Sequence, residues 1–225
     1  MAFVIDTGSE ASSQGPWLRW TSEGSARKRL EPESWVLRDK DANGNTVEVG
    51  VPAFKAGCVM DLDSLRLGWE KDGAVGMAPE RRWNPSVSQA TPRPDDSKKA
   101  AGGFAWSNAL SVRLAIGGGK AATWEQGGFG AYEAFTRLSK QIMAEYPGDN
   151  TLPLIVQTGV ETKALKNGNT SIPILTIQKW VPRPDCLKAD APVIATEVPA
   201  PAPQPVQAAQ PAPAPAASVP AEVAF

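Results

Sequence analysis

The residues best suited to chemistry in this chain are its tryptophans and the cations beside them. Eight tryptophans occur in 225 residues. Trp17-Leu18-Arg19-Trp20, Arg81-Arg82-Trp83 and Lys179-Trp180, followed by Arg183, interleave rings with positive charge. Arg27-Lys28-Arg29 precedes Trp35, and Lys98-Lys99 precedes Phe104 and Trp106. An aromatic face stacks on any nucleobase and a neighbouring cation neutralises phosphate, so this combination suits sequence-independent binding of a single strand. The competing fate of tryptophan in a β domain is burial, with arginine packed beside it by its aliphatic stem. Trp124 and Trp180 lie in or beside apolar runs and read as core. Trp17, Trp20, Trp83 and Trp106 lie in more polar surroundings and read as stacking platforms. Arg19, Arg27, Lys28, Arg29, Arg81, Arg82, Lys98 and Lys99 then read as phosphate contacts.

Other chemistry is harder to build. The chain has no histidine. That removes the commonest general base, the commonest zinc ligand and every Ser-His or Cys-His arrangement. Gly117-Gly118-Gly119-Lys120 has the glycines of a phosphate loop, but Leu114 and Ala121 stand where a Walker loop needs Gly and Ser or Thr. It reads as a turn. Asp61 and Asp63 could project from one strand face, and a carboxylate-dependent enzyme would have to be built on them. Without a further acidic or histidine cluster nearby they read as solvated strand-end carboxylates. The expectation is a binding protein with no catalytic residue, metal or cofactor.

The elements that must position these residues are mostly strands. β-branched and aromatic content marks 34–38, 46–51, 54–60, 64–69, 110–116, 154–158 and 172–181. Asn43-Gly44 and Asn167-Gly168 suit tight hairpins, since both residue types tolerate positive φ. Pro173 inside the last run predicts an edge position. Residues 130–146 carry Tyr132, Phe135, Leu138, Ile142 and Tyr146 at helical spacing, with Glu133 placed in the first turn and Pro147-Gly148 as the stop. Residues 84–103, broken by prolines and glycines, read as a long loop.

Composition divides the chain. Residues 1–16 are rich in Gly, Ser and Thr and read as partly ordered; 17–187 form the domain; 188–225, dominated by Pro and Ala, read as a disordered tail. Net charge is −1, which excludes a histone-like polycation but not a local basic surface. Cys58 and Cys186 lack paired spacing and read as thiols, with a single disulfide between them as the alternative. The start Met1-Ala2-Phe3-Val4-Ile5-Asp6 is unlike a signal peptide, and no stretch is long enough to cross a membrane. The cytoplasm, here of a bacterial host cell, is the expected compartment.

The tail ends Pro220-Ala221-Glu222-Val223-Ala224-Phe225. Globular core, Pro/Ala/Gln linker and terminal Phe together resemble the layout of bacterial and bacteriophage single-stranded DNA-binding proteins. The tip departs from that family in carrying one acid, Glu222, where the family carries several in a row. The resemblance implies an OB-fold core binding single-stranded DNA in replication or recombination, with Glu222 and Phe225 recruiting partner proteins. The expected fold is therefore all-β with one main helix, an OB-like barrel with added hairpins. A β-sandwich is the alternative fold, and a phage virion or assembly protein that binds no nucleic acid the alternative function. Homo-oligomerisation and preference for DNA or RNA stay open.

Overall fold

A computed structural model describes residues 15–24, 29–71, 79–95, 105–166 and 168–188. In chain order these form strands β1 (Trp17–Thr21), β2 (Ser34–Lys40) and β3 (Thr46–Val51), a single helical turn α1 (Ala53–Ala56), and strands β4 (Cys58–Met60), β5 (Arg66–Lys71), β6 (Glu80–Trp83), β7 (Ser107–Ile116) and β8 (Lys120–Gly127). The helix α2 (Phe129–Glu145) and the long strands β9 (Leu152–Leu165) and β10 (Gly168–Val181) complete the fold. It is mostly β with one main helix.

The strands form one mixed sheet in the order β10-β9-β4-β7-β8-β1-β2-β3. β5 continues the line of β4 along the same edge of β7 and carries β6 on its far side. Every pairing is antiparallel except β1 with β8. The sheet is open: its end strands β10 and β3 do not pair with each other among the described residues, so the barrel expected from the sequence is not closed. It does curl. Trp35 of β2 donates its Nε1–H to Oε1 of Gln157 in β9 at 2.9 Å, and Trp20 of β1 donates its Nε1–H to the Ser171 carbonyl of β10 at 3.1 Å. β1 occupies the free edge of β8, so β10 meets the N-terminal hairpin through side chains instead of a ladder.

The concave face holds the core. Leu18, Trp20, Trp35, Phe54, Met60, Leu110, Val112, Leu114 and Trp124 pack there, and α2 covers them with Ala131, Ala134, Phe135 and Leu138. Trp35 is central, with ring centroids 5.4 Å from Trp20, 4.4 Å from Phe54 and 5.2 Å from Trp124. A smaller cluster of Val59, Ala115, Leu152 and Leu187 fastens the last described turn to the domain.

Local chemistry explains the boundaries. Asp41 shapes the β2–β3 hairpin, accepting the backbone N–H groups of Asn43 and Asn45, while Gly44 takes φ 79°. Asn167 lies outside the described residues. Pro173 sits on β10, an end strand, where its missing N–H costs no central ladder bond. The expected strand 54–60 splits, because Gly57 at φ 93° turns the chain between α1 and β4. The expected strand 64–69 starts later, since 62–64 form a 3-10 turn capped by Asp61. Glu133 lies beyond the first turn of α2 and instead pairs with Arg137, one turn on, at 3.1 Å. In the expected loop, β6 ends at Trp83 and Asn84–Thr91 folds back, with Trp69 Nε1 donating to the Thr91 carbonyl.

Cys58 is buried without a disulfide, and burial pushes its thiol up to about 12. Folding thus favours the protonated thiol. That stability is complete below the ordinary thiol value of 9.0 and is lost as pH rises towards about 12. At about pH 8 a disulfide-exchange reagent is expected to modify the partly exposed Cys186 in the native protein and both thiols after denaturation. Equal native rates at both would contradict the burial.

Candidate nucleic-acid interface

Strand periodicity decides where each candidate points. Residues paired across neighbouring strands share a face, and consecutive residues alternate. Leu67 with Leu110, and Leu18 with Trp124, mark the core face. The opposite, convex face therefore carries Trp83 with Gly68 and Ala109, Arg81 with Glu70, Arg66 with Ser111 and Glu125, and Trp17 with Thr123, Arg113 and Arg38. Arg19 follows Trp17 by two and shares that face.

The structure brings part of the sequence-derived set together here. Trp17 and Trp83 are both half-buried, on strands at opposite sides of β5, β7 and β8. Arg19 reaches Glu48 at 3.5 Å. Gly68 is required beneath β6: a Cβ there would stand 2.2 Å from the Arg82 carbonyl oxygen.

Other members are placed elsewhere or, like Arg81 on this face, are already paired. Trp20 is 3% exposed and hydrogen-bonded to β10, so it has no face for a base; alternation puts it with the core because Trp17 and Arg19 point outward. Trp106 is 5% exposed, and the Arg82 guanidinium lies 5.0 Å from its ring centroid. Its ring is a seat for arginine before it is one for a base. Arg81 bridges Glu70 and Glu125 at 2.6 Å each, and Glu70 also accepts the Gly127 N–H at 3.0 Å. Two carboxylates around one guanidinium leave Arg81 no charge for phosphate, which corrects the contact expected of it. Arg82 is exposed, with Glu80 at 3.0 Å. Arg29 is exposed at φ 54°, next to the buried Leu30. Arg27, Lys28, Lys98, Lys99, Glu222 and Phe225 lie outside the described residues.

Sequence reasoning missed Arg66, Arg113 and Arg38. Arg66 stands between Leu65 and Leu67, and Arg113 between Val112 and Leu114; that alternation is the signal that could have found them. Arg66 and Arg38 are exposed and form no ion pair among the described residues, while Arg113 donates to the Cys186 carbonyl at 3.2 Å. Trp180, read as core, is half-buried against Tyr146 at 5.5 Å.

Asp61 and Asp63 face one cation. Arg183 Nη1 donates to Asp61 Oδ1 at 2.6 Å, and its Nη2 donates to Asp63. They form an ion-pair cluster, and no group of three or more metal-ligating side chains is assembled among the described residues. No described helix is long and apolar enough to cross a membrane. Comparison of the chain with family models, with curated proteins and with solved structures gives no match.

Proposed function

We propose that this chain binds single-stranded DNA without sequence preference, through the convex face of β5, β7, β8 and β1, in phage or bacterial replication or recombination. The observation that carries the reading is the sharing of one sheet face by two half-exposed tryptophans, Trp17 and Trp83, with the guanidiniums of Arg66 and Arg38, which form no ion pair among the described residues. Rings for bases and fixed cations for phosphates then lie on a single surface.

Connectivity supports it. In chain order the β4–β5 line, β7, β8, α2, β9 and β10 run as three strands, a helix and two strands, and the strands pair as β10-β9-β4-β7-β8, an order compatible with an opened OB barrel. We read the fold as an OB-like barrel whose closure is displaced by the N-terminal hairpin. In OB folds the ligand lies on the second and third strands, between the loop joining strands one and two and the loop joining four and five. The corresponding strands are β7 and β8, and the corresponding loops are the β5–β7 connection, which bears Trp83, and the β9–β10 turn beyond the sheet face. In the same reading Phe225 and Glu222 dock in an apolar, basic-rimmed pocket of a replication or recombination protein, and no catalysis is involved.

Titrating intrinsic fluorescence with oligo-dT at several salt concentrations tests the reading, with duplex DNA as control. Quenching should weaken with salt at a log–log slope of about −0.7 per phosphate contact. Trp83→Ala should weaken binding by about 1–3 kcal/mol, and Arg66→Ala should flatten the slope by about 0.7. Absence of binding at low salt would overturn the reading and leave a structural role in virion assembly as the better account.

A further inference from the structure

The convex face stops at the end of β8, and an aromatic–cation pair stands just past it. Gly127 pairs with Ala109, and the next residue, Gly128, donates its N–H to the Asn108 carbonyl at 3.2 Å. The start of α2 is thereby held beside the start of β7, two residues from Trp106 and its Arg82 partner. The first residue of α2 is Phe129. It keeps 42% of its surface exposed, although Gly130 and Ala131 beside it are buried. Lys163 of β9 reaches over from the β9–β10 hairpin, its Nζ 4.9 Å from the Phe129 centroid.

Lys163 forms no ion pair among the described residues and feels Glu161 only as a longer-range charge. The nearest acid on its own face of β9, Glu161, is taken by Arg137 at 2.6 Å, and Arg137 also holds Glu133 at 3.1 Å. Arg137 keeps the Glu161 carboxyl below the usual carboxylate range. Lys166, further along the hairpin, is exposed and adds positive charge. An exposed ring in contact with an ammonium, at the end of the strand pair β7–β8, has the composition of a base-and-phosphate seat.

Resting on the single-strand reading, we infer that Phe129 and Lys163 form a second contact for nucleic acid, where the strand leaves the sheet and crosses the start of α2 towards the β9–β10 hairpin. The ring stacks on one base and the ammonium neutralises the adjoining phosphate. This contact lengthens the site: short strands held by the sheet face do not reach it, and longer strands do.

An oligo-dT ladder of about 4 to 16 nucleotides, the span of site sizes for one OB fold, measures it. Binding of the full chain, Phe129→Ala and Lys163→Gln is compared at each length, with circular dichroism as the check on folding. The expected result is equal binding of the shortest bound oligomers by all three proteins. For the longest, Phe129→Ala should lose about tenfold in affinity and Lys163→Gln should show a salt slope shallower by about 0.7. Equal affinities at every length, or equal losses at every length, overturn the second contact while leaving the sheet-face reading intact. If the unaltered chain binds no oligomer, both fall together.

Discussion

Trp35→Ala is expected to destabilise the domain by about 3–5 kcal/mol, the range for removing a large buried aromatic. Trp35 is 2% exposed and touches Trp20, Phe54 and Trp124, so one truncation unpacks rings contributed by β1, β8 and α1 together. It also removes the hydrogen bond to Gln157, which ties β2 to the far end of the sheet. Trp35→Phe keeps most of the apolar contact and loses that bond, so its cost should be nearer 1–2 kcal/mol. Urea unfolding followed by circular dichroism separates the cases, with a lower midpoint and an unchanged slope marking a loss of native stability alone. Because β1 and β2 carry Trp17, Arg19 and Arg38, the same variant should weaken oligo-dT binding before it unfolds. A cost below about 1 kcal/mol would mean that the N-terminal hairpin is not integral to the core.

The sequence pattern made α2 legible almost to the residue, because its apolar stripe repeats at the helical period and Phe135 and Leu138 do reach the core. The Asn43-Gly44 turn was legible from turn chemistry. β8 was not. Lys120-Ala121-Ala122-Thr123-Trp124-Glu125-Gln126-Gly127 has small residues in place of β-branched ones, and only its position between β7 and β1 makes it a strand. β6 escaped for a related reason. Glu80-Arg81-Arg82-Trp83 is charged, and backbone pairing to β5 with one close glycine defines it.

The candidate site was half legible. Clustering of tryptophan with arginine is visible in sequence, but neighbours on a strand point to opposite faces. Arg82 and Trp83 are adjacent in sequence and separated by the sheet; Arg82 finds its ring at Trp106 instead. Trp17 and Arg19 share a face and Trp20 does not. Adjacency counted such pairs as units, whereas spacing by two sorts them correctly once the strands are known. The carboxylates were the second omission. Arg81 looked like a phosphate contact because Glu70 and Glu125, 11 residues back and 44 ahead in the chain, gave no sign that they converge on it.

The other large effect belongs to Arg183→Ala, for which about 3–5 kcal/mol is expected. The cause is not the loss of a contact but the charge left behind. Asp61 is 3% exposed, and Arg183 is the cation that faces it at 2.6 Å. With the guanidinium gone, the hydrogen-bond donor left to that carboxylate among the described residues is the Asp63 N–H at 3.2 Å. The asymmetry of the pair makes the account testable. Asp61→Asn removes the buried charge and leaves Arg183 with Asp63, whose side chain is 52% exposed, so it should cost less than Arg183→Ala. Restoring neutrality in the double variant should recover part of the loss, giving a coupling energy of about 0.5–3 kcal/mol in a double-mutant cycle. Limited proteolysis adds a local readout. Leu187 is 1% exposed and the Cys186 carbonyl accepts from Arg113, so these contacts and the ion pair together hold the segment after β10. Releasing Arg183 should make the peptide bond after Lys188 or Arg113 no more accessible than global unfolding allows if the domain unfolds as one unit, and should expose the Lys188 bond first if the segment detaches by itself. A substitution that costs less than about 1 kcal/mol would show that water already reaches Asp61 and that the cluster is a surface pair in effect.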